Sequence, residues 1–247
     1  MEPQTSPKTI GVAQTLWLSF LVVLVLGFIQ YSVLVNFAEA QMLKQPDADR
    51  TELLMGLQYD AMVVSLSEIF GGLIAGAMLV LFVFLRGIPV KPYFGLEPFL
   101  KRDLFNWFLV VVAITLVFTL MTWLISHEQS DFMLQVWQSC DNVLLLIFAI
   151  VIVAPLFEEL LFRGFIFTGL RNSTLGTGGA IVMSSALWAI IHQQYGSFEL
   201  IFVFLLGTVL AISRVASKSL YVPIILHMLN NLFAIVQIAM TAESVAK

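Results

Sequence analysis

The chain has 247 residues, of which 60% are hydrophobic and 11% charged, and its net charge is −4. Soluble domains carry about 45–50% apolar and about 25% charged residues. These figures exclude a soluble globular domain, a disordered chain and a basic nucleic-acid binder, and leave a polytopic helical membrane protein.

A bilayer asks for about 20 apolar residues per crossing helix. Seven apolar segments meet or approach that length: 11–35, 61–85, 104–126, 143–167, 178–193, 198–213 and 220–240. The first four are long enough to span. The fifth and sixth, about 16 residues each, are short, so an eighth helix or a broken one stays open. The expected fold is all-α, a transmembrane bundle of about seven spans. The first segment is too long for a signal-peptide core and is read as a retained helix. Residues 1–142 form the N-terminal helices and 143–240 the part that carries the chemistry, within one integral membrane domain. Cys140 is the single cysteine, which excludes an internal disulfide and a thiolate-only metal site.

Basic residues sort by loop. Lys8, Arg86, Lys91, Lys101, Arg102, Arg171, Arg214 and Lys218 fall on one side, and Lys44, Arg50 and Lys247 on the other. The first group, with the N-terminus, is therefore expected in the cytoplasm. The acids Glu39, Asp47, Asp49, Glu52, Asp60, Glu128, Asp131 and Asp141 gather opposite. Trp17, Trp107 and Trp123 sit near span ends, as interfacial anchors do.

A charge near the bilayer centre costs at least about 2.5–3.5 kcal/mol, so each needs a partner or a task. Within the spans lie Glu68, Glu158, Glu159, Arg163, His192 and His227, with Asn230 and Asn231 beside the last. Glu199 stands at a span edge where water is expected to reach it. Glu159 and Arg163 are four apart and share a helix face, so they can pair. Glu158 is turned about 100° away, and its i+4 neighbour is Phe162. Two adjacent carboxylates in low dielectric do not both ionise without a cation nearby. With Arg163 engaged by Glu159, Glu158 is the one suited to proton transfer. Pro155, just upstream, is expected to kink the helix. His227 and Asn231 are four apart and face the same way. Counted from the expected cytoplasmic helix ends at 1.5 Å per residue, His227 lies about 11 Å deep, Glu158 about 14 Å and His192 about 21 Å, so His192 joins the others only if the fifth helix is tilted or starts later than drawn. Glu68 belongs to no motif and is read as a pore-facing or interhelical acid, structural rather than chemical.

Three motifs in order carry a resemblance: Glu158-Glu159-x-x-x-Arg163, Trp188-x-x-x-His192 and His227-x-x-x-Asn231. Together they resemble the CPBP family of intramembrane proteases, which holds the type II CAAX prenyl endopeptidases and the bacteriocin-processing and immunity proteins. The family has Phe where this chain has Trp188. The resemblance covers about residues 143–240. It implies a peptide-bond hydrolase within the membrane, in which Glu158 and His192 activate water, Glu159 and Arg163 support the site, and His227 and Asn231 bind the oxyanion. It also implies a peptide or lipidated-peptide substrate, membrane lipid as surroundings and no nucleic acid. The short chain looks like a prokaryotic member, in the cell membrane.

The family is often labelled as metalloproteases, and Glu158, His192 and His227 are acceptable ligands for a divalent metal such as zinc. There is no His-Glu-x-x-His helix, and a metal-free, Glu-activated water fits the same residues. Two readings from other classes compete. One is a proton-coupled transporter with Glu158, Glu159 and His192 as relay. The other is a non-catalytic immunity protein of the same fold.

Overall fold

The computed structural model describes residues 9–125 and 131–245. Among these residues there is no strand, and the helices are α1 (Val12–Met42), α2 (Arg50–Leu57), α3 (Ala61–Leu85), α4 (Val90–Phe94), α5 (Lys101–Leu124), α6 (Phe132–Gln138), α7 (Val143–Arg171), α8 (Gly176–Ile190), α9 (Ser197–Ser217) and α10 (Tyr221–Val245). Six of them, α1, α3, α5, α7, α9 and α10, are long and apolar enough to cross a membrane, and α8 is a shorter apolar helix. The chain is a polytopic helical bundle. Lys8, Ser126, Glu128 and Lys247, used above for topology and span ends, lie outside the described residues.

Each of the seven apolar segments becomes a helix, but several ends move. Helix α1 continues to Met42, α5 starts at Lys101, α7 runs on to Arg171, and α9 and α10 extend to Ser217 and Val245. The connection 36–60 is not all loop. Asp49 caps α2 by accepting from the Thr51 amide at 2.7 Å, and Asp60 caps α3 by accepting from the Met62 and Val63 amides at 2.9 and 3.0 Å.

Helix α7 is the axis of the bundle. Every residue from 161 to 170 is buried. A helix that is covered all round belongs inside, with other helices between it and lipid. It is also the broken helix that the short segments left open. Its turns widen to the π form over Phe148–Val153 and again over Leu160–Ile166. Pro155 lies between the two, where its missing N–H removes one rung of the helical ladder. Turns of this kind gather at functional sites, because they re-aim side chains within an otherwise regular rod. Glu158 and Glu159 sit in the α-helical stretch between the two widened segments.

Helix α3 lies close to α7. A Cβ on Gly72 would stand 3.0 Å from Val153 and 3.5 Å from Phe157, so glycine permits this approach. At the end of the bundle that carries the basic loops, Arg214 is buried in the last turn of α9 and not in a loop, and donates to the Phe94 carbonyl at 2.9 Å. The Leu220 amide donates to the Gly95 carbonyl at 2.8 Å, and the Ser219 hydroxyl to the Glu97 carbonyl. The 94–97 segment thus lies over the start of α10, whose flanking Ser219 and Leu220 are fully buried.

This end explains the misjudged depths. Glu158 is about 20 Å from the true end of α7 at Arg171, and His192 about 24 Å from Gly176, at 1.5 Å per residue. The count from the sequence ended α7 four residues early. It also took α10 to start at the bundle's edge, whereas that start lies beneath another segment. Trp17 and Trp123 are exposed near helix ends, in keeping with interfacial anchors, whereas Trp107 packs on the core.

Candidate active site

The deepest part of the site is an ion pair. Glu159 and Arg163 are both fully buried, and Arg163 Nη1 donates to Glu159 Oε1 at 2.7 Å. The i, i+4 spacing alone brings them together. The guanidinium has two further partners on other helices. Its Nη2 donates to the Gly207 carbonyl of α9 at 3.1 Å, and its Cζ stands 4.4 Å over the Trp188 ring of α8. A cation over an indole face is attracted by the ring quadrupole. Arg163 therefore ties α7, α8 and α9 together.

Gly207 makes that junction possible. A Cβ there would stand 2.8 Å from the Trp188 ring and 3.0 Å from Arg163 Nη2. Gly207→Ala is expected to push Trp188 aside at about 1–3 kcal/mol of overpacking. A thermal-unfolding scan of the purified variant checks this, the expected result being a lowered midpoint.

Trp188 passes the arrangement outward. Its Nε1 donates to Glu158 Oε2 at 2.5 Å, so Glu158 has a partner that its own helix does not supply. The indole meets both imidazoles edge-on, with ring centroids 5.0 Å from His192 and 5.1 Å from His227. His192 Nδ1 lies 2.8 Å from the Trp188 carbonyl, and a carbonyl only accepts. A proton is therefore on Nδ1, which leaves Nε2 as the nitrogen turned to the cavity. His227 Nδ1 lies 3.0 Å from Glu159 Oε1, an oxygen already paired with Arg163, so here too Nδ1 donates.

Both Nε2 atoms then face the same oxygen. His192 Nε2 and His227 Nε2 each lie 4.0 Å from Glu158 Oε2. Asn231, one turn beyond His227, donates through Nδ2 to the Ile150 carbonyl at 3.0 Å, within the first widened stretch of α7. The structure thus brings Glu158, Glu159, Arg163, His192 and His227 into one connected cluster and sets Asn231 on the wall of the same cavity. That cavity encloses about 1070 Å³.

Sequence reasoning missed three residues. Trp188 was seen as an aromatic replacement and not as the donor to Glu158. Tyr195 belongs to none of the three motifs. Its ring stacks on His192 at 6.0 Å and 14°, and burial, aided by the Glu158 and Glu199 carboxylates, pushes its phenol up to about 12. Gln30, inside the first apolar segment, donates to Glu68 Oε1 at 3.1 Å. Only the position of each, one or two turns from a motif residue or mid-span, hinted at it. Glu199, expected in reach of water, is buried.

The donor types at Glu158, His192 and His227 suit zinc, but their spacing does not. Ligands about 2.0–2.1 Å from a tetrahedral zinc stand about 3.3 Å from one another, whereas both histidines are 4.0 Å from Glu158. Among the described residues no group of three His, Cys, Asp or Glu is placed to hold a metal ion. The residues as arranged do not fit a tetrahedral zinc, and no chemical step is drawn through one.

Fold and site define the class: an integral membrane helical bundle with a buried acid–base cluster opening on a cavity. Residues 140–233, which contain all seven motif residues, match the family described as Type II CAAX prenyl endopeptidase Rce1-like. The resemblance carried by the three motifs is therefore borne out over that segment. An Escherichia coli protein described as an uncharacterized 24.3 kDa protein is 36% identical over 94 residues, covering 37% of this chain and 43% of that one. The membrane-embedded CAAX protease MroQ of Staphylococcus aureus (strain USA300) is 33% identical over 106 residues, covering 41% of this chain and 42% of MroQ. The chain thus spans less than half the length of these curated relatives. No solved structure matches it.

Proposed function

We propose that the chain is an intramembrane endopeptidase of the CAAX or bacteriocin-processing type, which hydrolyses a peptide bond with a water activated by Glu158 and His192. The observation that carries this reading is the convergence of both imidazole Nε2 atoms on Glu158 Oε2 at 4.0 Å each. Two atoms that far apart can both hydrogen-bond one water oxygen at about 2.8 Å. The family match and the name of the Staphylococcus relative support the same class.

Protonation follows from the partners. His192 donates at Nδ1 to a carbonyl and accepts at Nε2, so it takes one proton of the water as a hydrogen bond. Glu158 takes the other as a base, while the water oxygen bonds to the scissile carbonyl carbon. The carbonyl oxygen becomes an oxyanion and needs donors. His227 already donates at Nδ1 to Glu159, so it offers a second N–H at Nε2 only as an imidazolium. With Glu158 and Glu159 ionised, Arg163 and His227 positive and His192 neutral, the cluster carries no net charge, which a membrane interior favours. His227 and the second N–H of Asn231 then hold the oxyanion. On collapse the C–N bond breaks and Glu158 returns its proton to the departing amine nitrogen; the proton left on the new carboxyl group passes through His192 Nε2 to the amine, and a carboxylate and an ammonium leave.

The basic end of the bundle is assigned to the cytoplasm of a prokaryotic cell by the positive-inside rule. Labelling of single cysteines placed in the 86–100 and 44–50 segments, with Cys140 removed, checks that assignment.

The central test uses the full chain in lipid nanodiscs with a peptide library. Cleavage by the wild type is expected, with a loss of about 10²–10⁴ in His192→Ala. Treatment with a chelator is expected to leave the rate unchanged. Undiminished cleavage by His192→Ala would sink the mechanism, and activity lost to the chelator and restored by zinc would replace it with a metal route.

A further inference from the structure

The mechanism leaves one intramembrane acid unused. Glu68 lies about two turns into α3, one turn before Gly72, where α3 meets Val153 and Phe157 of α7. It is half-buried, accepts from Gln30 Nε2 of α1 at 3.1 Å, and lines the same cavity as Glu158, His192 and His227. Gln30 is itself mid-span on a helix that faces lipid along much of its length. A polar pair at that depth is costly unless it serves a pathway or a ligand. The Gln30 amide fixes one carboxylate oxygen and leaves the other for the cavity.

The charge of the cavity points to the ligand. Glu68, Asp131, Glu158 and Glu199 are on its wall with His192 and His227, and among the described residues lining it there is no lysine and no arginine, so the imidazolium that the mechanism gives His227 is the one cation set against four acids. Arg163 is the nearest in the mechanism, but it is sealed behind Trp188 and paired with Glu159. A substrate ending a few residues past the cut in a free carboxylate would bring a further acid to a wall that already carries Glu68 and Asp131. A substrate with an ammonium or guanidinium group would meet complementary charge in a low-dielectric setting, where such pairing discriminates strongly.

We propose that Glu68, held by Gln30, is a specificity-determining anchor for a basic side chain of the substrate, so that this chain acts on cationic peptide segments and not on free C-terminal tripeptides. This rests on the peptidase reading above.

The test takes the full chain in nanodiscs and a cleaved library peptide remade with Lys, norleucine or Glu at each position beside the cut, each as free acid and as C-terminal amide. At one position Lys is expected to exceed norleucine in kcat/KM by about tenfold or more, as a charge-assisted hydrogen bond does. Amides are expected to exceed acids when the cut lies within three residues of the end. Glu68→Gln should bring the Lys peptide down to the norleucine level, and Glu68→Lys should favour the Glu peptide. Gln30→Ala should narrow the Lys preference without reversing it. Equal rates for Lys, norleucine and Glu, a Lys preference that survives Glu68→Gln, or a preference for free acids overturns the anchor. If the wild type cleaves nothing, the peptidase reading fails separately. The anchor is then judged by binding of the same labelled peptides, where a Lys preference lost in Glu68→Gln supports it and no preference overturns it.

Discussion

Glu158→Gln is expected to lower kcat/KM by about 10²–10⁴ while the protein keeps its fold and its affinity for substrate. The amide oxygen can still accept from Trp188 Nε1, so the link between α7 and α8 survives. What is lost is the capacity to take a proton from water and return it to the leaving nitrogen, and general acid–base catalysis contributes about that factor. Glu158→Asp retains the carboxylate but withdraws it by one methylene from an arrangement in which both imidazoles are 4.0 Å away. Its rate is expected between those of the wild type and Glu158→Gln. Single-turnover cleavage of a library peptide by the three proteins measures this. A Glu158→Gln protein that turns over at the wild-type rate removes Glu158 from the base role.

Much of this site was legible before any geometry. The pairing of Glu159 with Arg163 followed from their spacing, because four residues on a helix place two side chains on one face whatever surrounds them. That Glu158 points elsewhere followed from the same rule. The contacts between helices were not legible. Trp188 reaches Glu158 only because Gly207 lets α9 close on the indole, and neither residue announces the other in sequence. Glu158 and His227 were placed too shallow because helix ends are set by what covers them. The end of α7 at Arg171 and the start of α10 beneath residues 94–97 depend on packing that hydropathy does not encode. Arg214 shows the same effect: a basic residue between two apolar runs reads as loop, yet it is buried in the last turn of α9 because the Phe94 carbonyl receives it. Glu68 went without a role because its partner, Gln30, lies 38 positions away on another helix.

Arg163→Met is expected to destabilise the protein by about 3–5 kcal/mol, the cost of leaving a buried charge without its partner. Glu159 is fully buried and accepts from Arg163 Nη1 and His227 Nδ1 through one oxygen, so losing the guanidinium leaves only the imidazole to compensate it. The Gly207 carbonyl loses its donor as well, and Trp188 its cation. The double variant Glu159→Gln, Arg163→Met removes both charges and is expected to regain most of that stability, since a neutral pair of similar volume in place of a buried ion pair is often tolerated. It should not regain activity. An amide at position 159 no longer gives His227 Nδ1 a carboxylate to orient the ring, so the oxyanion loses an aimed donor, and a loss of this kind typically costs about 10²–10³ in kcat. Denaturant titration in bicelles gives the stabilities, and cleavage kinetics on the same samples give the rates. If the double variant recovers both stability and turnover, Glu159 and Arg163 are scaffolding alone. If it recovers stability without turnover, the ion pair that lowers the cost of two charges in the membrane also orients the histidine beside them.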